Sequence, residues 1–426
     1  MLEKYYLYKK ISMNKIKIQN IGAISNVELD LNKVTVIIGP QSSGKSTIAK
    51  IISYCQWVEK RNILDGEYKY DVFEQLLDFH RLDINYFSDN SFFEYHSDYI
   101  NISYKGKELK QSISLKKSNF EYQRSKNIYI PAERNFVSVI PNLNKYNETN
   151  DNIMSFVYDW SSAKRSFTKQ RKLPILNLEI DFYNNNDDEK KDSAILFLQN
   201  KNKEISLRSG SSGLQSVVPL IVIIEYLTDI IYTEEHSLSV NELKAMISLF
   251  SDKDFTDYLL PKLQLAKEIN KENIQKMIRE ITDEVRTKRS SYYATNFIIE
   301  EPEQNLFPQN QKDLIYYIFN KLNSEKDHSL LITTHSPFIL YAINNCLMGA
   351  VIADKLNEEE KQEFESKDSW ISPDKVNVFQ IDENNGTITS IKNPKTGTVD
   401  KHYFNEIMNE IMNEYYNMLN FFSNEK

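Results

Sequence analysis

Residues 34–50 read VTVIIGPQSSGKSTIAK, and the rest of the chain is organised around this stretch. Val34, Thr35, Val36, Ile37 and Ile38 make a short apolar run of the kind that forms a fully buried strand. Gly39, Gly44, Lys45 and Ser46 then complete the GxxxxGKS spacing of a phosphate-binding loop, and Thr47 to Lys50 open a helix. In this strand–loop–helix setting the loop, Gly39, Pro40, Gln41, Ser42, Ser43 and Gly44 through Thr47, can wrap phosphate oxygens with backbone N–H groups. Lys45 can neutralise the β- and γ-phosphates, and the Ser46 hydroxyl can ligate Mg²⁺. The positive end of the following helix favours the same anion. ATP and Mg²⁺ are the expected cofactors.

Composition sets the bounds. The chain has 426 residues, long enough for two domains or for one with large insertions. A net charge of -8 excludes a basic field over the whole surface, although not a local basic groove. The cysteines, Cys55 and Cys346, are far apart and in no CxxC or metal spacing, so a disulfide framework is not expected. No run approaches 18 apolar residues and MLEKYYLYKK lacks an apolar signal core. No membrane span and a cytoplasmic location are therefore expected.

Three strands are expected before the loop, from the period-two patterns at 15–18 and 27–31 and the apolar run at 34–38. A helix should run from the loop through Val58. Residues 61–125 read as an insertion with a hairpin at 99–104, a turn at 105–107 and a strand at 111–115. Residues 127–130 read as a strand leading into the polar turn Pro131 to Arg134. The stretch 141–172 is polar and loop-rich. Strands are expected at 176–182, 194–198 and 204–207, with a turn at 184–191. A helix should begin near Ser212, and 241–290 should be helical. NFIIEE at 296–301 is a strand capped by carboxylates, 309–322 a helix, and 329–334 a buried strand ending at His335. A helix at 338–347, a core strand at 351–353, a solvent-facing charged segment at 355–370, a hairpin at 376–391 and an amphipathic terminal helix or pair of helices at 401–423 complete the expectation.

Four further groups carry chemistry. Glu300 and Glu301 end an apolar strand, which aims them out of the core. Glu300 suits the Mg²⁺ shell and Glu301 the activation of water; Glu303 could exchange roles with Glu301, but the spacing favours Glu301. His335, just past the next strand, can contact the γ-phosphate and the attacking water. The turn Ser212, Gly213, Leu214, Gln215 before a helix offers a hydroxyl, N–H groups and a positive helix end to a γ-phosphate.

The set IKIQNIGAI (16–24), GPQSSGKST (39–47), IPAER (130–134), SGLQS (212–216), IIEEPEQNLFP (298–308) and ITTHSP (332–337) resembles the ABC-type ATPase heads of the SMC and OLD-like group. The likeness is strongest to small bacterial ATPases associated with defence against phage. The resemblance implies an α/β fold: a P-loop ATPase head with a mixed central sheet, an N-terminal antiparallel β subdomain and a helical insertion. The head would comprise 1–227 and 296–395, with an insertion or lid at 228–295 and a helical tail at 396–426. It also implies two heads closing face to face, so that Ser212, Gly213 and Gln215 meet the ATP held by Lys45 of the other subunit. A homodimer or higher homo-oligomer follows. Two positions depart from the family pattern: Glu300 stands where Asp is usual, and SGLQ replaces SGGQ. Gln56 lies too near the loop to match the family's glutamine loop, and Glu133 and Arg134 match a family phrase without an assigned role.

OLD-like nucleases carry a nuclease domain after the head. The chain beyond His335 shows no Glu plus DxD metal set, so no intrinsic nuclease is expected. A separately encoded effector such as a nuclease, gated by ATP state, is implied instead, with DNA or a phage protein as trigger. The alternative is a DNA-repair or DNA-structure ATPase touching phosphates through Lys164 and Arg165, Arg171 and Lys172, or Arg286, Lys288 and Arg289. The ATPase subunit of a membrane transporter is disfavoured by the large insertions.

Overall fold

The computed structural model describes residues 14–66, 69–116, 121–140, 151–185, 193–233, 238–250 and 271–423. In chain order the strands and principal helices are β1 (Asn14–Ile21), β2 (Ile24–Leu31), β3 (Val34–Ile38), α1 (Lys45–Asp65), β4 (Phe87–His96), β5 (Ile100–Lys105), β6 (Lys110–Leu115) and β7 (Ser125–Ile130). There follow α2 (Asn152–Ala163), β8 (Leu173–Pro174), β9 (Ile180–Asn184), β10 (Ala194–Leu198), β11 (Lys203–Ser206), α3 (Ser212–Thr228), α4 (Val240–Leu249) and α5 (Lys271–Ser290). The chain closes with β12 (Ala294–Glu300), α6 (Pro308–Leu322), β13 (Ser329–Thr334), α7 (Pro337–Ile352), β14 (Val376–Asp382), β15 (Thr387–Ser390) and α8 (Tyr403–Ser423).

The main sheet has 11 strands in the order β6-β5-β4-β1-β2-β15-β14-β3-β13-β12-β7. Its β14, β3, β13, β12 and β7 run parallel, while β1, β2, β4, β5 and β6 form antiparallel ladders. The result is an α/β architecture with a mixed central sheet, N-terminal antiparallel strands and helical insertions. A separate four-stranded sheet, β11-β10-β9-β8, stands beside it.

Every residue of β3 is buried, as its unbroken apolar run requires of a parallel strand covered on both faces. Val34, Val36 and Ile38 point into a core built with α2, α3, α6 and α7. Ile37 points to the other face, into a second core shared by α1 and strands β1, β2, β4 and β5. Strand β3 is thus buried between two cores, one that includes α3 and one that includes α1.

Several expectations are revised. The hairpin expected at 99–115 forms as β5 and β6, and β4 joins it to β1, so the insertion is built into the main sheet. Within 141–172, residues 152–163 form α2. Asp151 caps it, accepting from the Met154 N–H at 2.8 Å, and Met154, Val157, Trp160 and Ala163 recur every third residue on its buried side. The strand expected at 176–182 starts only at Ile180, since Leu176 and Glu179 take positive φ in a turn. Residues 351–353 end helix α7 instead of forming a strand. In the 355–370 segment Ser366 and Ser369 are buried, although most of its charges face solvent. The turn expected at 184–191, and parts of 141–172 and 241–290, lie outside the described residues.

Two helices, Ser212–Thr233 and Pro337–Lys355, are long and apolar enough to cross a membrane by length and composition. The first contains the apolar stretch 217–224, which Glu225 interrupts. Its α3 portion is the spine of the larger core, in contact with β12, α2 and α6. Arg289, proposed as a phosphate contact, is buried and donates to the carbonyls of Ile63 and Leu64. Lys288 is paired with Glu284 at 2.6 Å.

Candidate functional site

Register brings the expected groups together. Thr334 lies opposite Ile38, and Thr333 lies opposite both Ile37 and Glu300. The strands β3, β13 and β12 therefore end abreast, delivering Gly39, His335 and Glu301 to one edge of the sheet. Carboxyl ends of parallel strands are where open α/β sheets bind ligands.

The loop between β3 and α1 is built for close backbone approach. Ser42 and Gly44 have φ of 62° and 99°. A Cβ on Gly44 would also sit 2.9 Å from Ile24 Cγ1, so the position requires glycine twice over. Lys45 is buried and its Nζ donates to the carbonyls of Gly39 at 2.8 Å and Pro40 at 2.6 Å. Burial pulls its pKa down to about 8, while Glu301, Glu303 and Glu300 act in the opposite direction. Ser46 and Gln41 are exposed; Ser43 and Thr47 are buried.

The three carboxylates have distinct environments. Glu300 is buried, and its Oε1 has no hydrogen-bond partner among the described residues. Glu301 follows the strand with φ 44°, and its Oε1 lies 3.1 Å from His335 Nε2. That hydrogen bond holds its carboxyl below the ordinary range, against the effect of burial. Glu303 is committed elsewhere: its Oε1 accepts from the Thr334 hydroxyl at 2.8 Å and the His335 N–H at 2.7 Å. Burial raises the Glu303 pKa, and these donors offset part of that rise. Glu303 is thus a brace for the His335 backbone, while Glu301 pairs with the His335 ring.

The fit to Mg²⁺ rests on Glu300. An orphaned, buried carboxylate oxygen at a strand end is a poor structural element and a good cation ligand. Among the described residues no group of three or more His, Cys, Asp or Glu could hold a metal. Two protein ligands, Ser46 and Glu300, with phosphate and water completing the shell, suit Mg²⁺, which keeps several waters.

Ser212, Gly213 and Gln215 form a separate unit. Ser211 caps α3, accepting from the Leu214 N–H at 3.4 Å. Gln215 Nε2 turns back to the carbonyls of Arg208 and Gly210 at 2.8 and 3.1 Å and braces the turn. A Cβ on Gly213 would meet the Asn305 carbonyl oxygen at 2.8 Å, so this turn rests against the loop that follows Glu301. No hydrogen bond among the described residues joins Ser212, Gly213 or Gln215 to the Gly39–Thr47 loop.

Arg134 is the residue whose role the sequence left open. It is fully buried. Its guanidinium donates to the carbonyls of Glu300 at 2.9 Å, Glu301 at 2.9 Å, Pro302 at 3.2 Å, Pro131 at 3.4 Å and Ser216 at 3.2 Å. One side chain thus joins the turn after β12 to the first turn of α3. Burial lowers its pKa to about 10, so it stays charged at neutral pH. Nearby, Pro219 lacks the N–H that would bond the Gln215 carbonyl, and the Ser138 hydroxyl supplies that bond at 3.0 Å. The sequence signal for all of this was the phrase IPAER. Glu133, its neighbour, is exposed and pairs with Arg81 at 3.4 Å.

A cavity of about 460 Å³ lies at the opposite end of the sheet, lined by Lys33, Gln56, Glu59 and His328 among others. It is remote from the phosphate loop, and it places Gln56 away from the site.

A family described as "AAA ATPase domain" matches residues 295–340, the segment that carries Glu300, Glu301 and His335. No curated protein matches the chain. Solved structures to which it is similar include the SMC head domain from Thermotoga maritima (10% identity, TM-score 0.38, covering 92% of this chain and 100% of that one). The Smc head domain from Pyrococcus furiosus, bound to the C-terminal domain of ScpA, shows 10% identity and a TM-score of 0.39, with 94% and 100% covered. The recombination mediator protein RecF shows 11% identity and a TM-score of 0.30, with 89% and 98% covered.

Proposed function

We propose that this protein binds and hydrolyses ATP, and that each site is completed by the Ser212 turn of a second copy. The observation that carries this reading is the convergence of Lys45, Ser46, Glu300, Glu301 and His335 at the carboxyl ends of three adjacent parallel strands.

Lys45 exchanges its two carbonyl partners for β- and γ-phosphate oxygens, carrying a compact charge to them. Mg²⁺, held by the Ser46 hydroxyl and Glu300, would offset phosphate charge during transfer. Glu301, kept ionised by its hydrogen bond with His335, orients the attacking water and draws its proton. Glu303 fixes the His335 backbone, so the Glu301–His335 pair keeps its position. Among the described residues no hydrogen bond ties the Ser212 turn to the phosphate loop of its own chain, which supports its use in trans.

Above this chemistry we place a regulatory output. The protein acts as sensor, scaffold or regulator of a separately encoded effector in a bacterial anti-phage complex, in the cytoplasm. This layer rests on the motif resemblance.

Complementation tests the composite site. Lys45→Ala and Ser212→Arg variants should each be inactive alone. An equal mixture should regain about a quarter of the wild-type rate, because half of the pairs are mixed and each has one intact site of two. Glu301→Gln should retain ATP and lose about 10²- to 10⁴-fold in turnover. A Ser212→Arg variant with full activity by itself would refute the arrangement in trans.

A further inference from the structure

The cavity of about 460 Å³ at the far end of the sheet takes no part in the ATP site. It lies at the amino ends of β3, β13, β12 and β7, where Lys33, Ser329, Ala294 and Ser125 line it. Small-ligand cavities are ordinarily lined mainly by apolar side chains. Here, among the described residues, Leu31 and Ala294 are the only aliphatic ones in the lining. Carboxamides supply much of the rest: Asn14, Asn32, Gln56, Gln123, Asn127 and Asn296. Part of this wall is a ladder. The Ser329 hydroxyl donates to Asn296 Oδ1 at 2.7 Å, the Asn296 amide to Asn127 Oδ1 at 2.9 Å, and the Asn127 amide to the Gln56 carbonyl at 3.0 Å. Strands β13, β12 and β7 are neighbours, so the ladder spans two strand spacings, about 10 Å. Gln56 Oε1 is buried and has no hydrogen-bond partner among the described residues.

The cavity is also bipolar. At one end lie Glu59 and Asp98, with Tyr95, Tyr99 and Tyr122 beside them. Burial raises the Glu59 pKa to about 7, against hydrogen bonds from Ser97 and Tyr95. Glu59 Oε2 is buried without a partner among the described residues. At the other end lie Lys33 and Lys375, and neither Nζ makes a hydrogen bond or ion pair with a described residue. The charges acting on Lys33 are Asp327 and Lys375, and those acting most on Glu59 are Asp98 and Lys116. The two ends are therefore electrostatically separate. A ligand that answers both carries a cation at one end and an anion at the other. Between them it carries N–H and C=O groups, which the oxygen and NH₂ of a carboxamide complement. Tyrosine rings add attraction for the cation. A polyanion such as a nucleotide meets Glu59, Asp98 and Asp327, and a simple amine leaves both lysines unanswered.

We propose that this cavity binds a free peptide of about three residues, whose extended chain spans about 10 Å. Its ammonium end meets Glu59 and Asp98, its carboxylate meets Lys33 and Lys375, and its peptide groups lie along the carboxamides. The site stands on α1, the helix whose first turn holds Lys45 and Ser46, and does not depend on the reading of the ATP site.

Calorimetric titration of nucleotide-free protein with tri-alanine tests this. One tripeptide should bind per chain, with a Kd below about 100 μM. N-acetyl-tri-alanine and tri-alanine amide each lack one charged end and should bind about tenfold more weakly. So should 8-aminooctanoate, which has the same backbone length and both charges but no peptide groups. Glu59→Gln keeps the shape of the side chain. It should weaken tri-alanine about tenfold and leave N-acetyl-tri-alanine unchanged. Lys33→Met with Lys375→Met should weaken tri-alanine and leave the amide unchanged. No binding of tri-alanine would overturn the proposal, as happens if the cavity serves another ligand. So would equal binding of 8-aminooctanoate, or losses that do not follow the blocked end.

Discussion

Replacing Arg134 should uncouple the phosphate site from the Ser212 turn. The guanidinium donates to five carbonyls, of which Glu300, Glu301 and Pro302 belong to one turn and Ser216 to the other. Hydrogen bonds from a charged group contribute about 1.5–3 kcal/mol each in isolation, and bonds sharing one donor group do not add. Removing one side of a buried charged arrangement typically costs about 3–5 kcal/mol, and Arg134→Met is placed in that range. Arg134→Lys keeps the charge but has only three N–H donors for five acceptors, so a loss of roughly 2–3 kcal/mol is expected. Against a total stability of about 5–15 kcal/mol the lysine variant stays folded. Urea denaturation with unchanged m-value measures the loss. Steady-state turnover gives the more specific readout. The Gly39–Thr47 loop receives no bond from Arg134, so KM for ATP should change little. Glu301, whose carbonyl Arg134 holds, should drift, lowering kcat by about tenfold or more. An Arg134→Lys protein with wild-type kcat, or one whose loss falls wholly in KM, would refute the reasoning.

The remaining expectations concern protonation and packing. Lys45 must be charged to hold phosphate, and burial lowers its pKa to about 8. ATP affinity measured by calorimetry should therefore weaken as pH rises through about 8, by about tenfold from pH 7 to pH 9. For folding the sign is opposite: the unfolded lysine binds its proton more tightly, so nucleotide-free stability rises between about pH 8 and pH 10.5 relative to Lys45→Met. Glu301 is held low by His335, so His335→Ala should shift the acid limb of kcat to higher pH, visible below about pH 6. An acid limb that does not move would dissociate the pair. Gly213→Ala forces a Cβ toward the Asn305 carbonyl, at 2.8 Å, and should cost about 1–3 kcal/mol in thermal unfolding.

Much of this molecule was legible locally. The P-loop, the apolar runs of β3, β12 and β13, the hairpin turns and the start of α3 depend on neighbours within a few residues, so periodicity and turn chemistry find them. Helix α2 escaped because its polar surface hid a three-residue apolar repeat, and 351–353 was misread because a short apolar run does not distinguish strand from helix. Charge was the poorest guide, since a sequence does not state whether an arginine is solvated. Arg289 reads as a basic patch and is buried on backbone carbonyls.

By itself the sequence determined which groups could meet a triphosphate: Lys45, Ser46, Glu300, Glu301, His335 and the Ser212 turn. Their types and their places at strand ends are local properties. Only the tertiary structure decided that Glu303 braces the His335 backbone while Glu301 pairs with its ring, and that Arg134 ties β12 to α3. Those outcomes turn on contacts between residues far apart in the chain, such as Arg134 and Glu300. Sheet register and burial, not spacing, set which polar groups find partners.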